Sequence, residues 1–154
     1  MNLEQWSQVA TILGALAIPL SAAFIWVQLR YQTALTRAAN AQALVELSSP
    51  LNLQLIQDPE VAKLWINGPE HNSTYEPVDQ FRYKTLIIWW MMLHENIFLQ
   101  RRLGLLEESI YRVWDRDLRS FIRYHKIENR WDEFSDTFEP TFAAYVQTTF
   151  EKSA

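Results

Sequence analysis

The sequence predicts an all-α protein: an N-terminal transmembrane helix over residues 1–29 continues into a helical stalk over 30–57, followed by a cytosolic helical bundle over 58–154. Three observations predict it. No ionisable side chain stands between Glu4 and Arg30. No later stretch alternates apolar and polar residues with turn residues at hairpin spacing, so no sheet is expected. Helix-boundary residues (Asp58-Pro59, Pro77, Gly104 and Pro140) punctuate the remainder.

The first element is the run WSQVATILGALAIPLSAAFIWVQL, from Trp6 to Leu29, which exceeds the about 20 apolar residues that a bilayer crossing needs. Trp6 and Trp26 stand twenty positions apart, about 30 Å at helical rise, so each indole can sit at one membrane interface. A cleaved signal peptide competes, because Ala15-Leu16-Ala17 and Ser21-Ala22-Ala23 are small-residue sites. The preceding flank carries Glu4 and no Lys or Arg, however, and the apolar stretch is too long for that role. Arg30 and Arg37 follow with no acid before Glu46, so the positive-inside rule puts the N-terminus outside and the C-terminal domain in the cytoplasm. Ser7, Ala10, Gly14, Ala17 and Ser21 recur at steps of three and four, forming a stripe of small residues that lets another helix approach closely. Pro19 should bend the helix near its centre.

The stalk RYQTALTRAANAQALVELSSPL continues the helix to about Leu47, with Ser48-Ser49-Pro50 expected to end it. Asp58 is a natural N-cap, with Pro59 at the first helical position and Glu60 in the first turn, for a short helix stopping at Asn67-Gly68-Pro69. A loop to Glu76 precedes a long helix from Pro77 to Leu103, closed by Gly104. Its centre, LIIWWMML, is eight apolar residues in a row, too few for a second crossing and suited to the middle of a soluble core. Further helices are expected from about Leu106 to His125, from near Asn129, and from Pro140 to about Glu151.

Two groups of residues stand out in the bundle. Arg112, Arg116, Arg119, Arg123, Lys126 and Arg130 step by four, three, four, three and four, along one face of a continuous helix. A solvated outer face balanced by Glu108 and Asp115 is one reading. The other is an anion-binding surface for lipid headgroups or an acidic partner, with nucleic acid ranked last because the chain is net acidic at −4. On the long helix, Phe81, Thr85, Trp89, Met92, Leu99 and Leu103 define the expected buried side, and Glu95 and Asn96 fall inside that arc. His125 falls on the apolar side of the next helix. Glu95, Asn96 and His125 are therefore expected in a buried polar network, since a buried carboxylate must be paired or protonated.

Composition removes many chemistries. With no Cys there is no disulfide framework, thiolate metal site or Cys nucleophile. Three Gly in 154 residues leave no phosphate-cradling loop. Three His form no paired-His motif, and no Glu-x-x-His pair of the carboxylate-bridged bundles occurs, so no metal and no cofactor are expected. Neither G-x-S-x-G nor H-E-x-x-H is present.

Two resemblances bear on function. The order of an N-terminal apolar helix, a Gln/Ala-rich stalk, Asp58-Pro59-Glu60-Val61-Ala62-Lys63-Leu64-Trp65, Phe81-Arg82, His94-Glu95-Asn96, Gly104-Leu105-Leu106, Trp114, Trp131 and Phe142 resembles a widespread group of uncharacterised bacterial single-pass membrane proteins. That resemblance covers nearly the whole chain, implies an inner-membrane anchor with a cytosolic all-helical domain, and implies no activity. Arg119-Ser-Phe-Ile-Arg-Tyr-His125 resembles the Arg-x(4–6)-His element of HEPN ribonucleases, with Ser120 in place of the usual Asn, His or Asp. It implies Arg119 and His125 as catalytic residues, although six residues of helix would turn them about 240° apart. A more distant likeness, in architecture alone, is to small membrane-anchored accessory proteins of type VI CRISPR loci. The expected function is a non-enzymatic membrane-anchored assembly protein, a homo-oligomer, pore-like or otherwise, or an accessory subunit of a membrane complex. The alternative is a membrane-anchored HEPN-like ribonuclease or anion-binding effector.

Overall fold

A computed structural model describes residues 3–150, with side chains described from Ala15 onward apart from Asn72. Every regular element among the described residues is helical: α1 Leu3–Gln57, α2 Pro59–His71, α3 Pro77–Arg102, α4 Glu108–Tyr124 and α5 Pro140–Phe150, with short 3₁₀ segments at Asn72–Thr74, Ile127–Glu133 and Ser135–Thr137. The chain divides into two units, Met1–Ala38 and Ala39–Ala154.

The first unit is the leading part of α1. Each described side chain from 15 to 36 is exposed, and Ile18 shows 75% of its surface. Arg30, the first charge after the apolar run, lies over the Trp26 ring at 4.7 Å. Among the described residues no helix is long and apolar enough to cross a membrane. The described side chains of the charge-free run begin at Ala15, and Trp6, Ser7, Ala10 and Gly14 lie outside them.

In the second unit, α1 passes through Ser48-Ser49-Pro50 and ends only at Gln57, which corrects the expected stop. Pro50 removes one backbone donor, but the turn is held from elsewhere. The hydroxyls of Ser48 and Ser49 both donate to the Val45 carbonyl, at 3.0 and 2.6 Å, and Leu44, Ser48 and Leu51 are buried. Asp58 then caps α2 as expected, its Oδ1 accepting from the N–H groups of Glu60 and Val61 at 2.9 and 3.3 Å. That helix carries Pro69 inside it and reaches His71, so the expected loop is shortened by a last helical turn. A Cβ on Gly68 would overlap the Tyr83 ring; only glycine permits this approach of α2 to α3.

Gly104, at φ +70°, closes α3. Leu105 N–H donates to the Gln100 carbonyl and Gly104 N–H to that of Arg101, both at 2.9 Å, the double bond pattern of a Schellman end. The main core gathers Tyr83, Ile87 and Met91 of α3, Leu118, Phe121 and Ile122 of α4, Trp131, Phe134 and Phe138 of the connection, and Phe142 and Val146 of α5. A smaller cluster joins Leu44 to Leu93, Ile97, Leu106 and Tyr111.

The buried side of α3 is corrected by these contacts. Phe81, Met92 and Leu103 are 71%, 51% and 72% exposed, and Thr85 is exposed too. Tyr83, Ile87, Met91, His94 and Ile97 point inward instead. This helix is apolar on nearly every side, so its own periodicity does not select a face; the aromatic groups of α2, α4 and α5 select it.

Candidate functional site

α4 ends at Tyr124, and the chain turns through Lys126, whose φ of 52° makes it the only described non-glycine residue in the left-handed region. The turn delivers His125 into the core, 2% exposed. Its Nδ1 lies 3.0 Å from the Tyr83 hydroxyl, and its ring lies 4.4 Å from Trp65 and 4.6 Å from Phe121. Burial lowers the His125 pKa to about 4, so the imidazole is neutral. Burial also pushes the Tyr83 phenol well above its ordinary range. The pair therefore shares a neutral hydrogen bond and carries no charge at pH 7.

Beside it lies a cleft of about 150 Å³ lined by Gly68, Pro69, Glu70, Ser73, Tyr83, His125, Lys126, Asn129 and Arg130. Its two cations are matched by carboxylates: Lys126 Nζ to Glu70 Oε1 at 2.6 Å, and Arg130 to both oxygens of Glu133 at 3.0 and 2.9 Å. Hydrogen bonding to Lys126 and to Arg130 holds the Glu70 and Glu133 carboxyls below the usual range. The cleft is electrically balanced.

Arg119 belongs to a different network. Its Nε donates to Asp115 Oδ2 at 3.0 Å and its Nη2 to the Tyr145 hydroxyl at 2.8 Å, while that hydroxyl donates to Asp115 Oδ1. Arg119 and His125 have no partner in common, so nothing places both on one substrate atom. Of the cationic series, Arg112 pairs with Glu108 at 3.4 Å, while Arg116 and Arg123 are exposed and make no ion pair among the described residues. Lys126 and Arg130 lie beyond the end of α4, so the six do not form the continuous helical stripe that their spacing suggests.

Glu95 is half-buried, and its Oε1 accepts the Glu139 backbone N–H at 2.5 Å. Asn96 Oδ1 accepts from Gln100 Nε2 at 3.0 Å. His125 joins neither, so the expected trio resolves into three separate contacts. A pair that the sequence reading left unformed is His94 with Asp117, Nε2 to Oδ2 at 3.1 Å, with the His94 ring flanked by Trp90 and Trp114. His94 is 2% exposed. Tyr83, Trp65 and Tyr145 are aromatic residues on apolar faces with no motif to distinguish them; only the place of Gly68 opposite Tyr83 marks the contact.

Among the described residues no group of three or more His, Asp or Glu side chains is placed to hold a metal ion. An apolar groove of about 160 Å³ is lined by Trp89, Met92, Leu93 and Asn96 of α3 and by Leu47 of α1. Compared with known protein families, with characterised proteins and with solved structures, the chain has no significant match.

Proposed function

We propose that the protein is a membrane-anchored, non-enzymatic assembly module, with the helix from Trp6 to Leu29 in the bilayer and the bundle on its cytoplasmic side. The observation that carries this reading is the exposure of the described part of the charge-free run. From Ala15 to Leu29 every side chain is exposed, with Leu16, Ile18, Leu20, Phe24 and Ile25 prominent. A docked protein covers one face of a helix; a lipid environment covers all of them, and residues apolar on every side suit it. Trp26 with Arg30 above it suits an interfacial end, where an indole meets headgroups and a cation reaches water. Ala17 and Ser21 of the small-residue stripe offer close approach to a second anchor helix. The lipid bilayer and further copies of the chain are thus the partners of this reading.

Fractionation tests it. Wild-type protein should stay with membranes after salt and alkaline washing, whereas Ile18→Lys with Ala22→Lys should release it, each charge costing about 3 kcal/mol near the helix centre. Release of the wild type by the wash overturns the reading. The cysteine-free chain also permits single-cysteine mapping. Ala17→Cys should resist a membrane-impermeant thiol reagent, and Arg37→Cys should react only from the cytoplasmic side.

A further inference from the structure

α4 turns a basic face away from the core. Arg112, Arg116 and Arg123 are exposed on it, with the exposed Ser109 and Ser120 among them, and at about 100° per residue these five fall within about 80° of the helix circumference. No carboxylate of α4 enters that arc. Glu108 and Asp117 stand beyond its two edges and are already engaged: the oxygens of Glu108 accept from Arg101 and Arg112 at 3.1 and 3.4 Å, and Asp117 Oδ2 lies 3.1 Å from His94 Nε2. Asp115 is held by Arg119 and Tyr145. Arg116 and Arg123 make no ion pair among the described residues, so both guanidinium groups can receive an external anion. A solvated surface ordinarily intersperses the two signs; this face separates them.

At the end of the face Arg123 also walls a cleft of about 180 Å³, together with Ile122, Lys126, Glu128, Asn129 and Phe150. Two cations meet one acid there, and the buried Ile122 and half-buried Phe150 add apolar surface beside them. The face suits an extended layer of negative charge, and the cleft suits a molecule with an anionic head and an apolar body. Anionic phospholipid meets both conditions. We propose that the outer face of α4 docks on an anionic phospholipid surface, with one headgroup phosphate held between Arg123 and Lys126. A guanidinium fork takes two phosphate oxygens at once, and Lys126 exchanges its exposed partner Glu70, a surface contact weak enough to trade. Val113 and Tyr124, 55% and 51% exposed beside the arginines, suit the boundary between headgroups and acyl chains. Nucleic acid is the poorer match because the chain is net acidic at −4. The inference rests on the anchor reading above, which supplies the bilayer, and extends it from the anchor helix to a surface of the bundle. An anchor in the same bilayer raises the local concentration of lipid at that surface.

The cysteine-free chain allows the test in lipid nanodiscs. Ser120→Cys, between Arg116 and Arg123, should react with an uncharged water-soluble maleimide about fivefold or more slowly in an equal mixture of phosphatidylcholine and phosphatidylglycerol than in phosphatidylcholine alone. High salt should restore the rate, and so should Arg116→Ala with Arg123→Ala, with helical circular dichroism unchanged. Ala144→Cys, exposed on α5 in a cleft shared with Asp132 and Asp136, should react equally in both discs. Equal rates at Ser120→Cys in the two lipids overturn the proposal, as does a lipid effect that survives the double arginine substitution. Protection in phosphatidylcholine discs by free glycerol phosphate or by a short RNA, matching that of the anionic lipid, would assign the face to that ligand and overturn it too. Equal rates in a chain that resists the alkaline wash would defeat this surface and leave the anchor standing. Protection in a chain that washes off membranes yet floats with vesicles of the mixed lipids would defeat the anchor and leave this surface standing.

Discussion

Burial keeps His125 neutral down to about pH 4, against an ordinary value of 6.5. Between those values the unfolded chain binds a proton that the folded chain refuses, so folding stability is complete above the unfolded value and falls as the pH drops through this window. The full difference corresponds to about 3 kcal/mol. The thermal midpoint should therefore fall steadily from pH 7 to pH 4.5, and His125→Gln should flatten that slope while keeping a partner for the Tyr83 hydroxyl. An unchanged slope in the variant would show that His125 is not held neutral by the fold. Glu70 and Glu133, held below their ordinary value of 4.5 by Lys126 and Arg130, contribute stability that is lost only as the pH falls through 4.5 and below, so the upper part of the window belongs to His125 rather than to them.

At the scale of elements, one carboxylate of α3 ties that helix to the residue that opens α5. Glu95 accepts the Glu139 N–H, and Glu139 Oε2 in turn accepts the N–H groups of Thr141 and Phe142 at 2.9 and 3.0 Å, capping α5. Glu95→Ala strands a partly buried donor and should cost about 1–2 kcal/mol in urea unfolding, with Glu95→Gln recovering part of it; an unmoved midpoint for the alanine variant would refute the contact. Local signals made the element boundaries readable. Asp58-Pro59, Pro77, Gly104 and Pro140 act within a turn of themselves, and each marks an end in the structure. Pro50 and Pro69 carry the same local signal but lie inside helices, because buried Leu51 and Gly68 hold the chain through them. The inward face of α3 was not legible for the opposite reason. Two apolar faces competed, and the choice rests on Trp65, Phe121 and Phe142, which come from three other helices. Glu95 was recognisable as a polar residue needing a partner; that its partner is a backbone N–H forty-four positions away was not.

For the whole molecule, every buried side chain among the described residues lies between Leu44 and Thr149, within the second unit. A chain starting at Ala39 should accordingly lose only the helical signal of the α1 residues removed and keep its cooperative unfolding midpoint, measured by circular dichroism. Loss of cooperativity would mean that residues before 39 contribute to the core. The all-helical class was legible because it needs only the absence of period-two alternation and the presence of caps. The site was less so: a resemblance paired Arg119 with His125 although helical spacing turns them apart, and even with α4 ending at Tyr124 the two join separate networks, His125 with Tyr83 and Arg119 with Asp115 and Tyr145.

Helices adjacent in sequence are also the ones that pack, α2 on α3 and α3 on α4, with α5 returning to α3. Domains built from such local contacts fold in microseconds to milliseconds, whereas a ribosome adds about 5–20 residues per second. Each helix pair can therefore settle long before the next is synthesised. The Glu95 acceptor stands ready before Glu139 exists, so closure of this core waits on α5, and a chain truncated before Pro140 would leave Phe98 and Trp131 without the aromatic partners that α5 brings.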